Sequence, residues 1–401
     1  MFNQSKFINT HITKREKSYF DSDLNKYEQE LKAQVHGKAV LVIGGAGTIG
    51  SSFIKALLPF KPKSLHVVDY NENGLTELTR DLRSSYNDHV PPIYVTYPFD
   101  FGSNVFKKFF LANKFDVVAC FAAHKHVRSE KDHYAIEAMI HNNVINTKKL
   151  LDLCVKNPPS HFFAVSTDKA ANPVNVMGAS KKLMEKVLMA YGQKLKISTA
   201  RFANVAFSNG SLLFGFNERL AKKQPLSSPN DVKRYFVSPE ESGQLCLIAC
   251  LLGKTKEIFF PKLYENSMLT FSEIAVEYLK SQDLEPYYCS SEQEAREKAI
   301  AWTHTNKEYP VYFFKTDTSG EKQFEEFYTQ EDIVDLNLFT ALGVIKNESN
   351  ESLENVESII KNIKNIFADQ ELDKAKIISF LKQHLLDFQH IEAGKSLDQK
   401  M

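Results

Sequence analysis

Between Lys38 and about residue 165, short apolar runs alternate with longer stretches of helical periodicity. The runs are Ala39-Val40-Leu41-Val42-Ile43, Leu65-His66-Val67-Val68, Ile93-Tyr94-Val95-Thr96, Val117-Val118-Ala119-Cys120-Phe121 and Phe162-Phe163-Ala164-Val165. Strands with so few polar positions bury both faces, and when helices separate them they predict a parallel sheet covered on both sides. Ahead of the first run, Phe20, Leu24, Tyr27 and Leu31 recur at helical spacing in a charged stretch, so a surface helix is expected there, appended to the main domain. After about Asn204 the alternation loosens, and Pro225, Pro229 and Pro239 bound short elements, as in a smaller domain assembled from the later chain. The run Tyr309 to Phe314 reads as one of its strands. Beyond Lys346, Val356, Ile359, Ile360, Ile363 and Ile366, then Ile377 to Phe388, predict a helical tail. The expected organisation is therefore a helical extension over 1–36, a doubly wound α/β nucleotide-binding domain over 37–204, a substrate-binding region over 205–345 interleaved with it, and a helical tail over 346–401.

Composition adds mainly exclusions. The 401 residues are 43% hydrophobic and 25% charged, ordinary for a globular chain with a sizeable core. Lys and Arg number 50 against 49 Asp and Glu, a net charge of +1, so no bulk field points to nucleic acid or an anionic membrane and any anion site must be local. The five cysteines, Cys120, Cys154, Cys246, Cys250 and Cys289, form no CxxC pair and no Cys/His cluster of zinc-ligand spacing. They read as reduced thiols, and no metal is expected. Cys246 and Cys250 stand four apart in an apolar run, as core packing. No apolar signal region opens the chain, and no run approaches the roughly 20 apolar residues of a membrane span, so a cytoplasmic protein is expected.

Local chemistry changes the picture at two places. The first apolar run leads directly into Gly44-Gly45-Ala46-Gly47-Thr48-Ile49-Gly50 and then the helical stretch Ser51 to Leu58. Glycines serve such a turn because a Cβ would block a pyrophosphate from the backbone amides, and the helix N-terminus adds partial positive charge. With the strand before it, the helix after it and Asp69 closing a second strand about 20 residues on, this is the dinucleotide fingerprint of a Rossmann domain. Asp69 would accept bonds from ribose hydroxyls and repel a 2′-phosphate, which favours NAD over NADP; alternatively it is a turn residue. Asp100 either receives the adenine amino group or caps a helix.

The second place is Ser166-Thr167-Asp168-Lys169-Ala170, followed by Met177-Gly178-Ala179-Ser180-Lys181. A hydroxyl, a carboxylate and two ammonium groups follow a buried strand, at the carboxyl edge where open parallel sheets place ligands.

With both in place, the chain resembles the extended short-chain dehydrogenase/reductases, and within them the nucleotide-sugar 4,6-dehydratases acting on N-acetylglucosamine. The resemblance spans residues 38–330. It rests on Ala122-Ala123-His124-Lys125-His126-Val127, on Ser166 to Pro173, on Asn175 to Lys181, and on Arg201-Phe202-Ala203-Asn204-Val205. It implies an internal redox sequence in which NAD takes the sugar C4 hydride, water leaves across C5 and C6, and the hydride returns to C6. A C4 ketone acidifies the C5 hydrogen, so a modest base suffices while an acid protonates the departing hydroxyl. By resemblance Asp168 is the acid, Lys169 the base and Thr167 the partner of the C4 hydroxyl, while Ser166 makes a backbone or nicotinamide-pocket contact. For that role Lys169 must be neutral, through burial or a neighbouring cation such as Lys181.

Lys181 would contact the nicotinamide ribose. Gly44, Gly47, Thr48, Ile49, Gly50, Asp69, Asp100, Ala122 and Lys125 would line the cofactor, and Lys125, His126, Asn204 and Arg234 the substrate. Arginine suits a diphosphate because its planar fork meets two oxygens. Most of these enzymes carry Tyr-x-x-x-Lys, and here the tyrosine place holds Met177, whose thioether takes no proton at neutral pH. A subset of the 4,6-dehydratases shares this methionine. The C4 proton would leave through Thr167 to Asp168 or by water to Lys181. The resemblance also implies a homo-oligomer and a UDP- or GDP-linked sugar destined for surface glycans or for amino- and nonulosonic sugars. A 4-epimerase of the same fold and a non-catalytic nucleotide-sugar or NAD binder are the competing readings.

Overall fold

The computed structural model describes residues 2–317, 320–322, 324–348 and 351–392. The last residues of the expected tail, 393–401, lie outside the described residues, as do 318, 319 and 323 of the substrate region and 349 and 350 of the tail.

All five predicted strands form. They are β1 (Ala39–Ile43), β2 (Ser64–Val68), β3 (Ile93–Tyr97), β4 (Val117–Cys120) and β5 (His161–Val165), joined by β6 (Ile197–Ala200), β7 (Glu257–Pro261), β8 (Val334–Asp335) and β9 (Leu342–Lys346). They make one nine-stranded sheet in the order β8-β9-β7-β6-β5-β4-β1-β2-β3. From β3 to β7 every pair is parallel. β9 runs antiparallel to β7, and β8 antiparallel to β9. Because β1 pairs with β2 on one side and β4 on the other, the strand order reverses at β1, which places the ligand crevice outside the carboxyl ends there. Register sharpens this: Ile43 lies opposite both Val68 and Cys120, Cys120 opposite Ala164, and Val165 opposite Ala200. Gly44, Asp69, Phe121, Ser166 and Arg201 therefore leave the sheet along one edge.

Successive side chains of a strand point to opposite faces, and β1 divides the core accordingly. Leu41 and Ile43 face a layer with the helices α2 (Val176–Tyr191), α4 (Leu353–Phe367) and α5 (Lys374–His384), through Val187, Leu188, Ile359, Ile363 and Phe380. Val40 and Val42 face α1 (Thr48–Leu57) and α3 (Pro239–Leu252), through Phe53, Ile54, Leu57, Leu245 and Ile248. The predicted tail helices thus complete one side of the sheet. Cys246 and Cys250 are buried in α3, and all five cysteines are unpaired. A separate cluster holds Phe207, Phe216, Tyr278, Trp302 and Tyr309, beside a small parallel sheet in which Glu308–Phe314 lies between 285–288 and 226–229.

The N-terminal stretch departs from expectation. It is not one surface helix but the helices Asp21–Lys26 and Glu28–Val35, broken at Tyr27, with a helical turn and a π-turn at residues 4–12. Phe20 and Leu31 are fully buried. The Asp23 carboxylate accepts the backbone N–H groups of Thr340 and Ala341 at 2.6 and 2.7 Å, and the Tyr27 hydroxyl donates to the Leu338 carbonyl at 2.9 Å. These bonds tie the stretch to the loop between β8 and β9. Arg15 meets Glu241 at the start of α3 with two bonds of 2.9 Å, and Phe7, Ile8 and Ile12 pack with Phe207 and Tyr278. A helical stripe is the same signal whether it covers a sheet or sits on a surface, so spacing could not show this docking.

α1 and α3 touch most closely at Gly243, where a Cβ would lie 2.2 Å from the Ser52 carbonyl oxygen. Gly243→Ala is expected to force the helices apart at a cost of about 1–3 kcal/mol. That lowers the thermal midpoint by roughly 2–4 °C per kcal/mol, and an unchanged midpoint by circular dichroism would refute the close contact.

Candidate active site

The glycine turn is built from three different requirements. Gly44 has φ +75°, and a Cβ on it would sit 2.5 Å from the Ala122 nitrogen, so the turn after β1 lies directly on the turn after β4. A Cβ on Gly50 would meet the Gly44 oxygen at 2.3 Å, so the start of α1 packs on the turn itself. Gly47 differs, because the nearest atom to its Cβ position is 3.4 Å away. Nothing in the protein itself demands glycine there; what a Cβ would fill is the approach to the helix N-terminus, where an anion could come close to the backbone amides. α1 begins at Thr48, three residues earlier than the sequence pattern suggested, with Gly47 as its N-cap. The first-turn amides of Thr48, Ile49 and Gly50 are therefore helix-terminal donors.

Asp69 is buried at the end of β2. Its two oxygens accept the Ala46 and Asn71 backbone N–H groups, each at 3.0 Å, so it braces the glycine turn, and burial raises its pKa. A carboxylate has lone pairs beyond two bonds, which leaves capacity for a ribose. Asp100 lies three residues past β3, and its carboxylate accepts the Gly102 N–H at 2.7 Å. The N-cap of the next helix is Ser103 instead.

The polar cluster follows β5. Thr167 caps a single 3-10 turn at Asp168–Ala170. Asp168 Oδ1 collects three donors: the Thr167 hydroxyl at 2.9 Å, the Lys169 backbone N–H at 2.9 Å and the Lys169 ammonium at 3.2 Å. The Lys169 ammonium also lies 3.4 Å from Glu325 Oε1. Glu325 is 3.8 Å from Arg234, and Arg234 pairs with Glu321 at 2.8 Å while donating to the Lys322 and Lys233 carbonyls.

This corrects the expectation for Lys169. Burial pulls its pKa down, but Asp168 and Glu325 outweigh burial and the net direction is up. Lys181 is not its neighbouring cation. The Lys181 ammonium, itself buried, donates to the Val165 carbonyl at 2.7 Å and approaches the Met184 sulfur at 3.1 Å, and burial lowers its pKa to about 8. The amine nearest neutrality is therefore Lys181. Met177 is buried in the first turn of α2, among core side chains. Ser166 is buried and donates to Glu185 at 2.6 Å.

The loop after β4 is held by a residue the sequence reading missed. Asn143 accepts the His124 N–H at 2.8 Å, donates to the His124 carbonyl at 2.9 Å and donates to Ser180 Oγ at 3.0 Å. It ties that loop to the α2 segment bearing Lys181. It sits in the π-helical turn His141–Ile145, an irregularity common at functional sites and invisible to a 3.6-residue periodicity. Lys125 donates to the Asn209 carbonyl at 2.8 Å, the Asn209 N–H donates to Thr48 Oγ1 at 2.9 Å, and the His126 ring lies against Gly210. Lys125, His126 and Thr48 are thus bridged by residues 209–210, while Ala122 lies against Gly44. Asn204 pairs with the Tyr235 carbonyl beside Arg234. Asp100 stands apart from the Asp168 group; its field reaches His124.

Fold and crevice together define an extended short-chain dehydrogenase/reductase of the nucleotide-sugar dehydratase kind. Residues 40–335 match the family described as polysaccharide biosynthesis protein, and the chain belongs to it. It is similar to the uncharacterized membrane protein MJ1061 of Methanocaldococcus jannaschii, 32% identical over 80% of this chain and 91% of that one. It is also similar to a UDP-N-acetylglucosamine 4,6-dehydratase (inverting) of Campylobacter jejuni, 28% identical over 57% of this chain and 68% of that one. The chain spans only 49% and 38% of the length of two other polysaccharide biosynthesis proteins it resembles. In fold it is similar to the dTDP-glucose 4,6-dehydratase DesIV of Streptomyces venezuelae, solved with NAD bound, at TM-score 0.54, 20% identity and coverage of 72% of this chain and 88% of that one. Among the described residues no helix is long and apolar enough to cross a membrane.

The three glycines give separable outcomes. Gly44→Ala and Gly50→Ala are expected to lower the thermal midpoint, since each Cβ meets backbone. Gly47→Ala should keep the midpoint and weaken NAD binding at least tenfold by calorimetry. Unimpaired binding in Gly47→Ala would remove the pyrophosphate from this turn.

Proposed function

We propose that this chain catalyses the NAD-dependent 4,6-dehydration of a nucleotide-activated N-acetylglucosamine, giving a 4-keto-6-deoxy sugar nucleotide for surface glycan or related amino-sugar biosynthesis. The observation behind it is the junction of Thr167, Asp168 and Lys169 on one carboxylate oxygen, at the sheet edge that also carries the glycine turn. The Campylobacter relatives, named for UDP-N-acetylglucosamine, favour uracil as the base.

The residues present fit the dinucleotide: Gly47 leaves the helix terminus open, the amides of Thr48, Ile49 and Gly50 suit its pyrophosphate, and Asp69 its adenosine ribose. NAD, when bound, supplies a hydride acceptor for C4 and a donor for C6. The chain's own groups do the rest. Thr167 binds the C4 hydroxyl, whose proton leaves by water to Lys181, a path which avoids Met177 and leaves Asp168 as the acid. Asp168 in its acid form protonates the departing C6 hydroxyl, and Lys169 as the neutral amine takes the C5 proton. Lys181, with a pKa near 8, holds partial positive charge at the end of β5. Arg234 meets the substrate diphosphate, exchanging Glu321 for phosphate oxygens, while Asn204, Lys125 and His126 orient the sugar end. An epimerase needs no acid and base for elimination, so the Asp168–Lys169 pair favours dehydration.

Incubation with NAD and UDP- or GDP-N-acetylglucosamine should convert one of them to a product lighter by one water in mass spectrometry. Asp168→Asn should lower turnover by about 10²–10⁴-fold. An isomer of unchanged mass, or no change with either sugar nucleotide, overturns the proposal.

A further inference from the structure

Glu325 was absent from the sequence reading, yet it sits inside the polar cluster with one oxygen unaccounted for. Its Oε1 lies 3.4 Å from the Lys169 ammonium and 3.8 Å from the Arg234 guanidinium. Its Oε2 is buried and has no hydrogen-bond partner among the described residues. An ionised carboxylate held this way forgoes the bonds that normally offset its desolvation. Burial raises its pKa, and Asp168 adds to the rise, while Lys169, Arg234 and Lys322 oppose it. These are the charged groups facing it: Asp168 and Lys169 from the turn after β5, Arg234 from the strand Lys233–Arg234, and Lys322 with Glu321 on its own segment.

Dehydration needs Asp168 protonated and Lys169 neutral at once. The folded cluster instead holds them as an ion pair, 3.2 Å apart. The two states differ by one proton moved from the Lys169 nitrogen to the Asp168 oxygen, with no net gain or loss. The negative charge of Glu325, beside the ammonium, favours the ion-pair state.

We propose that Glu325 is a positioning residue for this pair: it takes up one proton from solvent as the substrate diphosphate engages Arg234, and its neutralisation tips Asp168–Lys169 from ion pair to neutral acid and amine. The diphosphate withdraws Arg234 from Glu325 and brings further negative charge, both of which favour the protonated carboxyl. The enzyme thereby keeps its base protonated until a sugar nucleotide is seated. The inference rests on the roles proposed for Lys169 and Arg234.

Calorimetry of UDP binding in two buffers of different ionisation enthalpy counts the protons taken up, without any turnover. Near neutral pH the wild-type protein should take up about one proton per UDP, Glu325→Gln none, and Glu325→Asp should restore uptake. In the dehydration assay Glu325→Gln should also move the acidic limb of the kcat/KM–pH profile, which reports the free enzyme, to lower pH by about one unit, roughly tenfold in the neutral fraction of Lys169. Absence of proton uptake by the wild-type protein overturns the proposal even if the glutamine variant does not fold, and so does equal uptake by wild type and Glu325→Gln. An unmoved limb overturns the link to Lys169. Proton uptake that depends on Glu325 in a protein that removes no water would sink the dehydratase reading and leave the coupling between Glu325 and diphosphate standing.

Discussion

The sheet edge that carries the polar cluster depends on one buried ion pair. The Arg201 guanidinium, 1% exposed at the end of β6, meets both oxygens of Glu185 on α2 at 3.0 and 2.8 Å. Glu185 accepts the Ser166 hydroxyl at the end of β5, and Arg201 donates to the Phe327 carbonyl at 2.7 Å. Burial alone would raise the Glu185 pKa, but the guanidinium overrides it and holds the carboxylate ionised. Four chain segments are thereby locked together: two strand ends, the helix bearing Lys181, and the segment bearing Glu321 and Glu325. Loss of one partner of such a pair leaves an uncompensated buried charge, about 3–5 kcal/mol. The planar fork of arginine suits the task because it meets one carboxylate with two parallel bonds and keeps donors for a carbonyl.

With those segments fixed, the two lysines of the cluster acquire opposite characters although both are desolvated. Lys169 lies between two carboxylates and stays a cation. Lys181 lies against a carbonyl and a thioether and is drawn toward neutrality. Desolvation penalises the charge of both, and the supply of counter-charge offsets it at Lys169. In the same way Arg234 is held by the carboxylates of the acidic segment, Glu321 and Glu325.

The terminal stretches take part in this framework. The tail helices cover one face of the sheet, and beyond them Gln389 and Ile391 donate to the Pro173 and Val174 carbonyls, while Glu130 accepts the first N–H of α2 and pairs with Lys374 and His390. The N-terminal helices pack on the opposite face. Both ends thus brace the sheet whose carboxyl edge holds the site.

The strands, the glycine turn and the Thr167-Asp168-Lys169 group were legible in the sequence because each is a local pattern: a strand's two buried faces require a continuous apolar run, and a phosphate-approaching turn requires glycine. The N-terminal docking was not, since Phe20 and Leu31 look the same on a surface stripe as under a sheet. Asn143 was hidden because a π-turn breaks the helical count, and Glu325 because it reaches Lys169 across 156 positions of sequence. The charge of Lys169 was not legible for the same reason, its second carboxylate lying in a segment with no strand or helix to announce it. By itself the sequence determined the α/β alternation, the glycine turn and the chemical groups at the strand end. Tertiary structure alone decided which of those groups are charged, because a pKa depends on neighbours in space, and these neighbours come from segments far apart in the chain.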